Sequence, residues 1–341
     1  MDMKRMTLGR TGIEAWRLGF GGIPIQRVSE GQAVDTVLYA LEKGVDFIDT
    51  SRMYTTSETR IGLALRQTDK KPVLATKSFA RTSDGIRKDV DVSRRELHRD
   101  VLDIYQCHSI GTPDEYKKIT AKDGAYEGLL KAREEGLVRH IGITSHSLDV
   151  LDKALDDDLF DTVMVCFSFL EPAAQDKVIP KALAKGVGVL AMKPLSGGVI
   201  EAPEAALKWS FGREGTLVLV GVESRELIDQ NWRVFEGGWD LTEADRADIA
   251  AISQEYDKKF CRRCDYCLPC PAGIPIQFVL GAKSFLKRMG PGAIKNPMFA
   301  DIWDKAENCT ECGQCMERCP YGLPIPEIVK ANLAWRKGLD L

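Results

Sequence analysis

Eight of the ten cysteines of this chain lie in two short runs near its C-terminus. The members of the two runs are Cys261, Cys264, Cys267 and Cys270, and then Cys309, Cys312, Cys315 and Cys319. The second run has the spacing C-x2-C-x2-C-x3-C-P, which is typical of thiolate ligands to a [4Fe–4S] cluster. Two-residue gaps let three thiolates of one loop reach three different iron corners. The two runs therefore predict iron–sulfur sites.

The fourth ligand of each cluster must come from outside its loop. In proteins with two such runs, the last cysteine of each run ligates the other cluster. This rule predicts that Cys319 joins the first three cysteines of the first run, and that Cys270 joins those of the second. The first run ends in x2 before Cys270, which leaves this exchange open. Tetrahedral zinc and disulfides are the alternatives, but zinc sites usually have two cysteine pairs separated by a longer loop.

Four polar residues follow the ends of neighbouring predicted strands. Asp49 ends the second strand and Tyr54 follows it, Lys77 follows the third strand, and His108 follows the fourth. A lone Tyr is usually a packing residue and a lone Lys is usually on the surface. In a barrel of parallel strands, however, the carboxyl ends share one mouth, which is where enzymes of this fold place their chemistry. The four residues together therefore predict an active site.

The strands belong to a pattern in which short apolar runs alternate with helical segments up to about residue 250. The eight runs are Trp16–Gly19, Val45–Asp49, Val73–Thr76, Leu102–Cys107, His140–Thr144, Thr162–Val165, Gly188–Met192 and Thr216–Val220. Eight strand–helix units in roughly 240 residues have the size of a (β/α)8 barrel. A doubly wound sheet is the alternative, but residues 19–22 lack the G-x-G-x-x-G turn that such a sheet normally carries after its first strand.

Composition describes an ordinary soluble chain. The 341 residues are 44% hydrophobic and carry a net charge of −3. No apolar run approaches the roughly 18 residues that a membrane span needs, and no secretory leader is visible, so we expect a cytoplasmic protein without a membrane partner. Basic residues are mixed with acidic ones, which argues against a nucleic-acid partner.

The strand-end residues carry a resemblance to the aldo-keto reductase superfamily. The segment GVDFIDTSRMY resembles the stretch that holds the catalytic Asp and Tyr of that family, ATKS resembles the stretch of its Lys, and IYQCHS that of its His. A barrel followed by two cysteine runs is similar to the subgroup with a C-terminal ferredoxin-like domain. The resemblance implies a TIM barrel over residues 1–255 and a mostly helical ferredoxin-like domain over residues 256–341.

The resemblance also implies a reaction. An aldehyde or ketone would accept hydride from NADPH or NADH, and its oxygen would then need a proton. An unperturbed phenol has a pKa of about 10, so Tyr54 needs a cation beside it to act as the general acid. Lys77, paired with Asp49, would be that cation, and His108 would orient the carbonyl oxygen.

Cofactor contacts follow from the resemblance one position at a time. Backbone at Gly21 and Gly22 would approach the nicotinamide ribose, and Ser145 would bind the carboxamide. Met164 replaces a usual Gln with the same task. The predicted residues along the nicotinamide ring and the pyrophosphate are Met192, Lys193, Leu195 and Ser196.

At the adenosine end, GVESRELIDQN resembles the motif of the family and ends on Asn231, which would lie against the adenine. Glu223 stands where a basic residue commonly binds the 2′-phosphate of NADPH. A carboxylate prefers a ribose diol, so the sequence favours NADH, although Arg225 is close enough in sequence to substitute.

The role of the cysteine tail leaves three hypotheses. The first is a carbonyl reductase whose two clusters transfer electrons or are structural. The second is an electron-transfer protein that docks a redox partner protein, and the third is a nicotinamide-binding redox sensor of low turnover. The exits CPAGIPI and CPYGLPI after Cys270 and Cys319 form a short internal repeat, which predicts two related sites. The sequence does not identify the small carbonyl substrate.

Overall fold

The computed structural model describes residues 4–289 and 297–339. Its strands are β1 Arg5–Thr7, β2 Glu14–Trp16, β3 Leu18–Gly21, β4 Phe47–Asp49, β5 Val73–Ser78, β6 Leu102–Cys107, β7 Val138–Ser145, β8 Thr162–Cys166, β9 Gly188–Met192 and β10 Leu217–Gly221. Three short 3-10 turns cover Gly9–Thr11, Pro24–Arg27 and Pro172–Gln175. Within the described ranges, no helix is both long enough and apolar enough to cross a bilayer.

The helices of the first two thirds of the chain alternate with these strands. They are α1 Glu30–Glu42, α2 Ser57–Leu65, α3 Ser83–Glu96, α4 Pro113–Thr120, α5 Ala125–Glu134, α6 Leu148–Asp157, α7 Val178–Ala184, α8 Pro203–Phe211, α9 Arg225–Glu236 and α10 Glu243–Tyr256. Local sequence defines several of their starts. Ser29, Thr82, Thr112, Ser147 and Ser224 each accept a backbone N–H of the first turn, as good N-cap residues do.

Strands β3 to β10 form a closed barrel in the order β10-β3-β4-β5-β6-β7-β8-β9, and all neighbours are parallel. The predicted (β/α)8 fold is confirmed. Two strands, Leu102–Cys107 and Gly188–Met192, have the predicted bounds, whereas the first barrel strand begins at Leu18 and not at Trp16. Trp16 instead pairs with Arg5 in the β1–β2 hairpin, and its apolar side chain gave no sign of that boundary.

The hairpin closes one end of the barrel. Leu8 and Ala15 are fully buried in a cluster with interior strand residues such as Phe47, Ile104 and Leu190. A Cβ on Gly9 would lie 2.3 Å from the backbone nitrogen of Gly188, the first residue of β9. The hairpin therefore covers the end at which the strands begin, and the opposite mouth, where the strands end, holds the predicted active site.

The remaining described helices are α11 Ile276–Leu280, α12 Ala282–Met289, α13 Pro297–Glu307, α14 Gln314–Glu317 and α15 Ile325–Lys337. They surround a separate apolar cluster that includes Ile276, Val279, Trp303 and Val329, with cysteines of both runs packed against it. The fold after the barrel is thus helical, as predicted.

The internal repeat of the sequence is also a repeat of structure. Gly273 and Gly322 both adopt left-handed φ values, of 68° and 58°. Each glycine donates its N–H to the carbonyl of the cysteine three residues earlier, Cys270 or Cys319, at 2.9 and 3.1 Å. A proline then precedes the first residue of α11 or α15 in both copies. The two cysteine runs therefore leave their sites through the same turn.

Candidate active site and cysteine centres

A buried ion pair lies at the base of the barrel mouth. Asp49 ends β4, Lys77 lies in β5, and both side chains are almost fully buried. The Lys77 ammonium donates to Asp49 Oδ2 at 2.5 Å and to the Thr50 carbonyl at 2.8 Å. Gln106, on β6, donates to the other Asp49 oxygen at 3.3 Å. Burial alone lowers the pKa of Lys77, but Asp49 and Tyr54 outweigh it, so the pKa lies above its ordinary value and Lys77 stays charged.

Tyr54 lies directly above this pair. The Lys77 ammonium is 5.1 Å from the centre of the Tyr54 ring. The turn that carries Tyr54 is held by backbone hydrogen bonds, because Tyr54 N–H donates to the Ser51 carbonyl and the Tyr54 carbonyl accepts from Ser57. Arg52 in the same turn binds the buried Glu58 and also Glu96. The phenol is therefore half-buried on a braced turn, with a cation beneath it.

His108 faces Tyr54 from the next strand end. Their ring centres are 6.1 Å apart at an angle of 85°. Ser51 Oγ lies 3.1 Å from His108 Nδ1, and the Phe79 ring lies 4.3 Å from the imidazole. Burial, helped by Lys77, Arg81 and Lys193, holds the pKa of His108 well below its ordinary value of 6.5. The ring is therefore neutral near pH 7.

The loop after β9 brings several predicted cofactor residues together. Lys193, Ser196, Gly197 and Gly198 all have positive φ values, an uncommon density of left-handed backbone. The Lys193 ammonium contacts His146 Nε2 at 2.5 Å, and the buried Ser196 hydroxyl bonds that of Ser168 at 2.8 Å. Strained backbone of this kind is often retained at ligand sites. A fixed cation on a sharply turned loop suits the charge of a diphosphate.

Other predicted contacts have structural partners of their own. Gly21 and Gly22 lie at the end of β3, where a Cβ on Gly22 would approach the Asp49 carbonyl to 2.9 Å, so packing alone requires that glycine. Ser145 ends β7, and its buried hydroxyl donates to the Ile110 carbonyl at 2.5 Å. Met192 ends β9 and packs against the barrel interior together with Met164.

At the adenosine end, the charged residues form two separate pairs. Glu223 forms an ion pair with Arg27, which lies in the turn after β3. The guanidinium offsets the negative charge of the carboxylate. Arg225 forms a two-pronged pair with Asp35 on α1 and lies 4.9 Å above the Tyr39 ring. Asn231 is buried in α9. Arg225 is thus directed to Asp35 and is not bound to Glu223.

The cysteines form two sets of four. One pocket is lined by Cys261, Cys264 and Cys267 together with Cys319, and the other by Cys309, Cys312 and Cys315 together with Cys270. The spaces, with their open sides, have volumes of about 330 and 420 Å³. Each lining combines three cysteines of one run with the last cysteine of the other run, which is the grouping that an exchange of fourth ligands requires.

The first cysteine loop is docked on the barrel mouth. Arg263, between Cys261 and Cys264, places one guanidinium nitrogen 2.8 and 2.7 Å from the two carboxylate oxygens of Glu171. The same nitrogen lies 3.8 Å from the Sγ atom of Cys166, the last residue of β8. Both members of the ion pair are nearly buried. Tyr266 also donates to Asp149, on α6.

Several residues of the site were not identified from the sequence. Ser51 and Phe79 fix the His108 ring, and Gln106 binds Asp49. His146 offered a signal, because it is one of only four histidines and lies two residues after a predicted strand. Arg263 gave none, since an Arg in a cysteine loop is as easily a surface residue.

Comparison with family models gives two matches. Residues 15–204 match a model described as the aldo/keto reductase family. Residues 260–324 match a model described as a 4Fe-4S dicluster domain. The two matched segments correspond to the barrel and to the cysteine tail. Together they support an oxidoreductase with an iron–sulfur domain.

Individual relatives agree with these models. The chain is 34% identical over 214 residues to an L-galactose dehydrogenase of Arabidopsis thaliana, and 26% identical over 218 residues to an NADH-specific methylglyoxal reductase of Escherichia coli. Each match covers 57% of this chain and 66% of the relative. A holo aldo-keto reductase from Bacillus halodurans superposes with a TM-score of 0.63 at 23% identity, covering 73% of this chain and 96% of that one.

A second solved structure has the same fold. An aldo-keto reductase from Klebsiella pneumoniae, in complex with NADPH, superposes with a TM-score of 0.62 at 20% identity, covering 75% of this chain and 96% of that one. The similarity to these structures is one of fold.

Proposed function

This chain belongs to the aldo/keto reductase family, and we propose that it reduces the carbonyl group of a small aldehyde or ketone at the barrel mouth. The observation that carries the proposal is the buried Asp49–Lys77 pair beneath Tyr54, with a neutral His108 opposite. A pure binding module has no need to bury a lysine beside a phenol. Burial of both charges carries a desolvation cost that a well-packed apolar pair would avoid, so the pair is not explained by stability alone.

The chain's own residues divide the work. Asp49 holds Lys77 charged, and Lys77 presents its charge to Tyr54, which donates the proton to the carbonyl oxygen. His108 is neutral, so it orients the oxygen by hydrogen bonding and does not replace Tyr54 as the acid. Bound NADH or NADPH would supply the hydride.

Ser51 contacts the His108 ring. Its hydroxyl donates to the Lys77 carbonyl at 3.1 Å and also lies 3.1 Å from His108 Nδ1. Because the hydroxyl has one hydrogen, the tautomer of His108 depends on which of the two atoms receives it. A His108 ring that donates to a substrate oxygen from Nε2 requires Ser51 to turn its hydrogen to Nδ1.

The nucleotide would lie along the ends of β9, β10 and β3, with its nicotinamide end extending to the end of β7. Its nicotinamide half would contact Gly21, Gly22, Ser145 and Met192, with the pyrophosphate along residues 193–196. Asn231 would lie near the adenine. Glu223 favours the ribose diol of NADH, and its pairing with Arg27 reduces its repulsion of a phosphate. The expected preference for NADH is therefore moderate.

The two cysteine sets would hold two [4Fe–4S] clusters, with Cys319 and Cys270 as the exchanged fourth ligands. Such a cluster moves one electron at a time. The cysteine loop docked on the mouth and the exposed Cys312 of the other set favour a second role, which is electron exchange between the barrel and a partner redox protein.

An anaerobic titration of cluster-loaded protein tests both roles. NADH and NADPH are added separately while the visible absorbance of the clusters and the reduction of small aldehydes are followed. Tyr54→Phe should lower carbonyl reduction by roughly 10²- to 10⁴-fold, the range typical of general acids. The control is Tyr126→Phe. Tyr126 lies on α5, and its phenol donates to the Leu159 carbonyl. Full activity of Tyr54→Phe would contradict the proposed proton donor, and bleaching of the clusters by nucleotide would support electron exchange.

A further inference from the structure

Helix α12 of the cysteine region lies across the part of the barrel mouth where the nucleotide is expected. It contacts the turn after β3 and the loop after β9. Ser284 donates to the Gly197 carbonyl at 3.0 Å, and the Lys287 ammonium donates to the next carbonyl, that of Gly198, at 2.8 Å. Residues three apart on a helix share one face. One face of α12 is thus bound to the loop that begins at Lys193.

The same helix is bound to the adenosine end. Arg27 donates to the Lys287 carbonyl while it also holds Glu223, which follows β10. Strands β9, β10 and β3 are neighbours in the barrel. The helix therefore ties together the loops that follow all three strands, and these loops carry the predicted ribose, pyrophosphate and adenosine contacts.

The chemistry of the helix suits a diphosphate. The stem of Lys287 packs on Gly198, since a Cβ built there would lie 3.5 and 3.6 Å from Cδ and Cε. This contact places a second ammonium, besides Lys193, beside the left-handed loop. A cation held above the loop contributes favourable charge to a bound dianion and is only partly screened by salt.

We propose that α12 is a clamp on the dinucleotide, in which Lys287 binds the diphosphate and Ser284 holds the loop closed. This inference rests on the proposed nicotinamide-dependent function and extends it, because it gives the iron–sulfur region a part of the nucleotide site. Nucleotide binding and docking of α12 on the barrel then favour each other by the same factor, as linkage requires.

The test measures nucleotide dissociation from the full, cluster-loaded chain by stopped-flow fluorescence of NADH. Lys287→Ala should raise the dissociation constant of NADH roughly five-fold, mainly through a faster off-rate, and Lys287→Arg should restore most of the affinity. Lys287→Ala should also reduce the salt dependence of binding, a result that a purely structural role would not produce. Lys283→Ala is the matched control, because Lys283 lies on the same helix but over the Trp335 ring, 5.5 Å from its centre.

Hydrogen exchange supplies the second measurement. Added NADH should slow amide exchange in α12 and leave exchange in α15 unchanged. If NADH binds but Lys287→Ala alters neither its off-rate nor its salt dependence, the clamp is wrong while the proposed function stands. If neither NADH nor NADPH binds the wild-type chain, the proposed function fails and the clamp fails with it.

Discussion

Replacement of Glu171 by Gln should release the first cysteine loop from the barrel. The substitution keeps the shape of the side chain and removes its charge. Arg263 then remains nearly buried, with exposed fractions of 13% for its side chain and 7% for that of Glu171 in the intact pair. Removal of one partner from a buried pair leaves an uncompensated charge, which costs about 3–5 kcal/mol.

The lower end of that range applies here. Arg263 also donates to the Cys261 carbonyl at 3.2 Å, and the amide oxygen of the substituted side chain would still accept one hydrogen bond. A loss of about 3 kcal/mol, with a urea dependence of about 3 kcal/mol per molar, lowers the midpoint of the affected transition by about 1 M urea.

The assay follows two signals during anaerobic urea unfolding of cluster-loaded protein. Visible absorbance reports the clusters, and far-ultraviolet circular dichroism reports the barrel together with the other helices. Cluster loss should shift by about 1 M in Glu171→Gln, and the main circular dichroism transition should shift less, because the barrel core is untouched. The control is Glu307→Gln, which breaks the exposed pair with Lys337 and should change little. An unchanged midpoint of cluster loss in Glu171→Gln would refute the idea that this pair docks the loop.

Two further predictions concern protonation and ligand pairing. Because the pKa of folded His108 lies well below the unfolded value of 6.5, the unfolded state binds the proton first and stability falls as the pH drops below 6.5. The His108→Gln variant should lose less unfolding free energy as the pH falls, and the difference from the wild type should be at most about 1.4 kcal/mol per pH unit. Urea titrations between about pH 7.5 and 5.5 measure this difference. The Cys319→Ser variant should contain half the iron of the wild type. The double variant Cys319→Ser/Cys264→Ser should contain the same amount, whereas Cys319→Ser/Cys312→Ser should contain almost none. Equal iron in the two double variants would contradict the exchanged ligands.

The barrel and the placing of Asp49, Lys77 and His108 at neighbouring strand ends were predictable from the sequence because strand ends are local features. One apolar run stops at Asp49 and another runs into Lys77. In both cases the run marks the strand and also shows which polar residue lies near its carboxyl end. Parallel pairing then brings these ends to one mouth without further information. The cysteine sites were predictable for a similar reason, since short spacing fixes three ligands on one loop.

Contacts between distant segments were not predictable. Arg263 and Glu171 are 92 residues apart, and nothing in the sequence near either one indicates the other. The same holds for α12, which lies in the domain that was expected to be mostly helical but whose covered surface was not predictable. The partners of Glu223 and Arg225 were also missed, because each charge had several acceptable partners and only the fold chose among them.

The docked loop gives the two cysteine sets unequal positions. Cys261 lies in the loop whose Arg263 reaches Cys166, and Cys166 is the register partner of Met192, the last residue of β9 before Lys193. The set with Cys319 therefore lies a few contacts from the predicted nucleotide site. Cys312 of the other set is exposed. An electron that enters from a partner protein would reach the exposed set first, and the walls of the two sites share Ile276 and Ile325. This order, from the exposed set to the docked set to the barrel, is the arrangement that the proposed electron exchange with a partner protein would use.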